Sequence, residues 1–276
     1  MVKKINGLGL IVFFIIYLFL GGYISAFSML SYDIINLLLY CVLAFYLILI
    51  FWLNNVKASF FFNQEKNQVF CKKFLSYIVP FIAVKILLSV STVILIKLGI
   101  IYGEPSIGSF VRKVYFSENI NYFTCLFVFM APILEEFVFR GVLTNKLTQY
   151  FNIKISILIS LLLFTIGHNS ILVVFWGLFL NLVYVRSQSI FYPILFHFIN
   201  NALVYIKIYF IQKYLDDSSV LKIVGNFDDV IMITLYTAWF ASIIVIIIYI
   251  YKYFIKANFS FDERGRIVYK QPSETM

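Results

Sequence analysis

Long runs of nearly uninterrupted apolar residues recur along the chain, many of them long enough to cross a bilayer as a helix of about 20 residues. The stretches Leu8 to Leu20 and Ile243 to Ile250 are apolar on every side. A transmembrane β-strand would instead alternate apolar and polar over about ten residues, so a membrane barrel is excluded. A soluble fold is excluded as well. Only 13% of the 276 residues are charged and 62% are hydrophobic, against about a quarter charged in an ordinary soluble domain. Too few polar side chains remain to coat a water-facing surface. The expected fold is therefore all-α: a polytopic helical bundle embedded in the lipid bilayer, with residues 1–276 forming a single membrane domain.

Setting apolar blocks against polar breaks gives about eight candidate spans. They run from Leu8 to Leu30, Ile34 to Leu53, Phe74 to Ile100, Asn121 to Leu143, Ile153 to His168, Ile171 to Val185, Ile190 to Phe210, and Val230 to Ile255. The fifth and sixth are short, so they tilt, thin the bilayer locally or pack inside the bundle. Basic residues fall in alternate connections: Lys3 and Lys4; Lys57, Lys66, Lys72 and Lys73; Lys146 and Lys154; Arg186; and Lys252, Lys256, Arg264, Arg266 and Lys270. The opposite set carries Asp33, a mixed loop with Glu104, Arg112, Lys113 and Glu118, the break at Asn169, and an acidic loop with Asp216, Asp217, Asp228 and Asp229. By the positive-inside rule the protein sits in the cell membrane with both termini cytoplasmic. The net charge of +9 then follows from orientation, and no nucleic-acid partner is expected.

Lys3 and Lys4 before the first block, with Ser25, Ala26 and Ser28 after it, also fit a cleaved signal peptide. Retaining the block makes all the alternations agree in sign, and it is read as retained. Residues 260–276 are expected to form a polar cytoplasmic tail without a CaaX cysteine. Cys41, Cys71 and Cys125 are scattered, with no spacing suited to a metal, and read as structural. No internal repeat is apparent.

A charge at mid-bilayer costs on the order of 3 kcal/mol or more, so ionisable groups inside spans are functional candidates. Here they cluster. Glu135, Glu136 and Arg140 share one span, the only two histidines, His168 and His197, lie in two others, and Asn201 follows four residues after His197. Successive helical residues turn by about 100°, so Glu136 and Arg140 share a face while Glu135 points elsewhere. Arg140 can neutralise Glu136 and leave Glu135 for chemistry. His197 and Asn201 likewise project side by side. If the fourth and fifth spans form a hairpin turning at Phe151 and Asn152, Glu135 and His168 both lie roughly 24 Å from the turn and are level. Gly141 to Tyr150 could alternatively leave the bilayer as an amphipathic interfacial segment. Pro132 is expected to bend its helix and free a carbonyl, which suits a water-filled cavity.

A carboxylate beside an imidazole can take a proton from water and return it to a leaving group. A second imidazole and an amide supply donors for a developing oxyanion. Water attack on an amide carbonyl is the chemistry this set supports. The cluster places no Ser or Cys nucleophile by spacing. Glu and two His could hold zinc, but no HExxH motif is present, so a metal-free site without cofactor is favoured and zinc stays open as the alternative.

These motifs, Glu135-Glu136-x-x-x-Arg140, Phe164-x-x-x-His168 and His197-x-x-x-Asn201, resemble the three signatures of the CPBP family. That family unites type II CAAX prenyl endopeptidases with bacteriocin-processing and self-immunity proteins. Phe139-Arg140-Gly141 and Pro193-Ile194 preceding His197 resemble its flanking patterns, and the likeness covers about Asn121 to Leu203, the expected catalytic core within 121–203. The resemblance implies an intramembrane endopeptidase, often called a glutamic protease and formerly a metalloprotease. In it Glu135 and His168 would activate water, His197 and Asn201 would form the oxyanion hole, and Glu136 and Arg140 would support the site. The implied substrate is a membrane-associated peptide or protein.

Two other classes compete. One is a non-proteolytic membrane scaffold or immunity protein acting by partner binding, since such proteins occur in the same family. The other is a proton-coupled transporter, which the lack of a repeat disfavours. Lys85 and Lys97 read as snorkelling cations or partners of an acid. Asn169, Asn181 and Asn200 read as interhelical hydrogen-bonding groups. Trp52, Trp176 and Trp239 fit interfacial anchoring or packing.

Overall fold

Within the membrane blocks, backbone polar groups have no water to bond, so helix is the conformation that satisfies them locally. The computed structural model describes residues 32–57, 61, 67–97, 122–168, 171–214, 223, 226–261 and 267–270. The first expected span, Leu8 to Leu30, lies outside the described residues, as do Asn169 and most of the expected acidic and mixed loops. The remaining blocks form α1 (Tyr32–Leu53), α2 (Asn67–Lys97), α3 (Tyr122–Glu136), α4 (Thr144–Leu147), α5 (Ile153–Gly167), α6 (Val173–Ser187), α7 (Phe191–Tyr214) and α8 (Asp229–Ile250). A π-helical segment, Phe137–Leu143, joins α3 to α4, and a second, Tyr251–Ile255, extends α8.

Among the described residues two helical stretches, Lys72–Ile94 and Asp229–Ile255, have the length and apolarity to cross a membrane. The 15-residue α5 and α6 rise only about 22 Å each. For α6 the reason is visible in its environment. It packs against α2, α5 and α7, and Phe179 to Val185 are all buried. A helix that is apolar all round and walled by protein is a core element. By contrast α1 turns Phe45, Ile48 and Trp52 outward, and α8 turns Ile233, Phe240, Ile244 and Ile247 outward. A continuous exposed apolar belt of this kind suits lipid.

The segment after the glutamates does not leave the bundle. Gly141 to Leu147 is helical and buried, Lys146 included, so the interfacial alternative is not what forms. The turn falls at residues 148–152, and Asn152 caps α5, its side chain accepting from the Ile155 N–H at 2.9 Å. Thus α3 to α5 makes the expected hairpin.

The polar tail contains structure that the sequence reading did not anticipate. Asn258–Phe261 (β1) pairs antiparallel with Ile267–Lys270 (β2), Phe259 opposite Tyr269. Strand β2 packs on α6 and buries Ile267. Arg186, at the end of α6, lies over the Tyr253 ring at 3.7 Å and the Tyr77 ring at 4.8 Å. It therefore ties three elements together as well as contributing a terminal charge.

Candidate active site

The i,i+4 spacing of Glu136 and Arg140 becomes a buried ion pair. Arg140 Nη1 donates to Glu136 Oε1 at 3.0 Å, and Nη2 donates to the Gly177 carbonyl at 3.0 Å. The guanidinium also lies 4.4 Å from the Phe164 ring centroid. Neither side chain of the pair is exposed. The close approach to α6 requires glycine at 177, where a Cβ would sit 2.7 Å from Leu161 Cδ1 and 2.9 Å from Phe164 Cδ1.

Glu136 Oε1 also meets His197 Nδ1 at 2.8 Å. A carboxylate can only accept, so Nδ1 carries the proton in this contact. The other nitrogen, Nε2, lies 3.8 Å from Glu135 Oε2. His168 is held in a similar sense. Its Nδ1 is 2.8 Å from the Phe164 carbonyl, again an acceptor, which turns Nε2 toward Glu135 Oε2 at 3.5 Å. Tyr40 on α1 donates to the other carboxylate oxygen, Glu135 Oε1, at 2.9 Å. Glu135 Oε2 accepts no hydrogen bond from the described residues. It stands against two imidazole nitrogens whose distant ring atoms are each fixed by a separate acceptor.

The side chains of Glu135, His168 and His197 are 15%, 33% and 4% exposed. His168 terminates α5 as its C-cap residue and opens onto a cavity of about 360 Å³, which His197, Trp176, Asn200, Asn201 and Lys85 also line. So the structure gathers Glu135, Glu136, Arg140, His168 and His197 into one cluster, with Asn201 on the adjoining cavity. Lys85 corrects one expectation: its partner is an amide, not an acid, and Nζ donates to Asn200 Oδ1 at 2.8 Å. Asn200 is an interhelical hydrogen-bonding group as read. Asn181, fully buried, finds no partner for either end of its carboxamide among the described residues.

Two contributors were not singled out from the sequence. Tyr40 carries no motif, and Gly177 acts through its backbone carbonyl. For a metal, the fit is poor: among the described residues no group of three His, Cys, Asp or Glu side chains is arranged to hold an ion.

A helical membrane protein with a glutamate wedged between two imidazoles beside a cavity is the class that the fold and site define. Residues 117–203 match the family model described as Type II CAAX prenyl endopeptidase Rce1-like. The chain is also similar to the membrane-embedded CAAX protease MroQ of Staphylococcus aureus (strain USA300). The two are 27% identical over 185 residues, covering 62% of this chain and 72% of that protein. No solved structure matches. With the motifs these matches support membership of the CPBP family of membrane proteins, to which the type II CAAX endopeptidases belong.

Proposed function

We propose that this protein is an intramembrane endopeptidase that hydrolyses a peptide bond in a membrane-associated peptide or protein. The observation that carries the reading is the shared focus of three atoms, Glu135 Oε2, His168 Nε2 and His197 Nε2, beside a cavity. A neutral His168 with its proton on Nδ1 presents a lone pair at Nε2, and the carboxylate beside it is also an acceptor. Two acceptors 3.5 Å apart share a proton or a water between them. A water placed there gives up its proton to this pair as its oxygen attacks the scissile carbonyl carbon. The oxyanion that forms is held by the Asn201 amide N–H and by His197 in its doubly protonated form, Nδ1–H held by Glu136 and Nε2–H given to the oxyanion. The proton then passes to the amide nitrogen, the C–N bond breaks, and a carboxylate and an amine leave. Glu136 and Arg140 keep His197 in place. The site uses water and side chains alone, without a metal.

About eight membrane helices, both termini cytoplasmic and a catalytic core within 121–203 complete this reading.

Membrane and secreted peptides from cells carrying the native chain or its Glu135→Ala form test the assignment. A peptide cut only in native cells, with both proteins inserted equally, is the expected result. His168→Ala should behave as Glu135→Ala does. Normal turnover by both variants would overturn the proposal, and a cellular phenotype that survives Glu135→Ala would favour the partner-binding scaffold. Chelator treatment of the purified protein should leave cleavage unchanged. Loss of cleavage restored by zinc would overturn the metal-free site.

A further inference from the structure

Beyond the two imidazoles the cavity is lined by three polar side chains joined end to end. Lys85 Nζ donates to Asn200 Oδ1 at 2.8 Å, and Asn200 Nδ2 donates to Asn201 Oδ1 at 3.1 Å. The chain has a direction. An ammonium can only donate, so it fixes the Asn200 carboxamide with its oxygen toward α2 and its nitrogen toward Asn201. That nitrogen in turn engages the Asn201 oxygen. The Asn201 acceptor is thereby committed, and its N–H donors remain for the cavity that it lines.

Without this chain, the two ends of the Asn201 carboxamide would be nearly equivalent in shape. Inverted, it would present an acceptor to any oxyanion in the cavity and repel it. Lys85 lies within the apolar stretch Lys72–Ile94, where an ammonium is expensive. A snorkelling lysine would run to the interface, and a purely structural one would be expected to meet an acid. This one reaches across to a neutral amide on α7, whose neighbour carries the oxyanion role in the mechanism above.

We propose that Lys85 and Asn200 are positioning residues. They lock the Asn201 carboxamide with its donors facing the cavity, and the Lys85 charge, carried along the polarised chain, strengthens the bond to the oxyanion. The inference rests on the endopeptidase reading and deepens it.

The test uses the full chain in proteoliposomes and, as probe, an internally quenched, lipid-anchored version of the peptide whose cleavage depends on Glu135 in cells. Asn201→Ala sets the scale, with an expected loss in kcat of about a hundredfold, as for removal of one oxyanion donor. Asn200→Asp keeps an acceptor for Lys85 but has no N–H for Asn201, whose carboxamide then turns to donate to it. Its kcat should approach that of Asn201→Ala while KM stays within about twofold, the pattern of an interaction made only in the transition state. Lys85→Met should lose about tenfold in kcat, and Lys85→Arg should recover most of it. If Asn200→Asp does not fold, the Lys85 pair decides. Lys85→Met and a folded Asn200→Asp with native kcat beside an inactive Asn201→Ala would overturn the positioning role and leave the protease assignment standing. A raised KM with a lowered unfolding midpoint in the variants would reduce the chain to a structural one and also overturn it. Full activity of both Asn201→Ala and Glu135→Ala would instead remove the endopeptidase reading.

Discussion

Glu135 and Glu136 are neighbours in the chain with opposite surroundings. Glu136 is fully buried and bonded through Oε1 to Arg140 and His197, whereas Glu135 is 15% exposed and turns Oε2 toward the Nε2 atoms of His168 and His197. Arg140→Met should therefore cost about 3–5 kcal/mol of stability, because it strands a buried carboxylate. Glu135→Gln should change stability little while removing turnover. Denaturant unfolding in detergent, set beside cleavage, separates the two. Tyr40→Phe leaves the fold intact but frees Glu135 Oε1 from its donor. Its kcat should fall between about ten- and a hundredfold, the range expected when a reacting group is displaced by a fraction of an ångström to an ångström. The two carboxylates could be told apart from spacing alone, since an i,i+4 pair shares a helix face. Tyr40 could not, because its partner lies 95 positions away in sequence and nothing local marks one tyrosine among 20.

The helical elements set the site by where they stop and how closely they approach. Counting from the hairpin turn put Glu135 level with His168, and that arithmetic works because an α-helix has a fixed rise. The count tolerates the π-helical stretch Phe137–Leu143, which changes facing more than height. No periodicity in the sequence announces a π segment, so it was not foreseen, nor was the β1–β2 hairpin inside a short polar tail. Gly177 was likewise invisible: its role is to bring the α6 backbone against Phe164 and Arg140. Gly177→Ala would press on the Phe164 ring, whose centroid lies 4.2 Å from that of the tilted His168 ring and which carries the Arg140 guanidinium. The expected outcome is a correctly inserted protein with reduced kcat and a lowered unfolding midpoint, measured on the same preparation. An unchanged kcat would show that the ring yields without moving its neighbours.

At the scale of the whole molecule, the composition correctly foretold a helical membrane protein because lipid leaves so few alternatives for the backbone. Where the chain is thick and thin was less legible, since apolar length alone does not distinguish a helix facing lipid from one walled by protein. The stretch Asp229–Ile255, α8 with its π-helical extension, covers 27 residues, while α5 and α6 cover 15 each. His168 sits where the shorter α5 ends, and irregular backbone at that depth is tolerated only beside protein or water. At this helix end His168 opens onto the cavity that Trp176 and His197 also line, so water reaching inward can meet it. On the endopeptidase reading, turnover is then expected to depend on the thickness of the host bilayer. Reconstituted in short-chain and long-chain phosphatidylcholine, the protein should turn over faster in the thinner membrane, which gives a cell a means of tuning proteolysis by acyl-chain length alone.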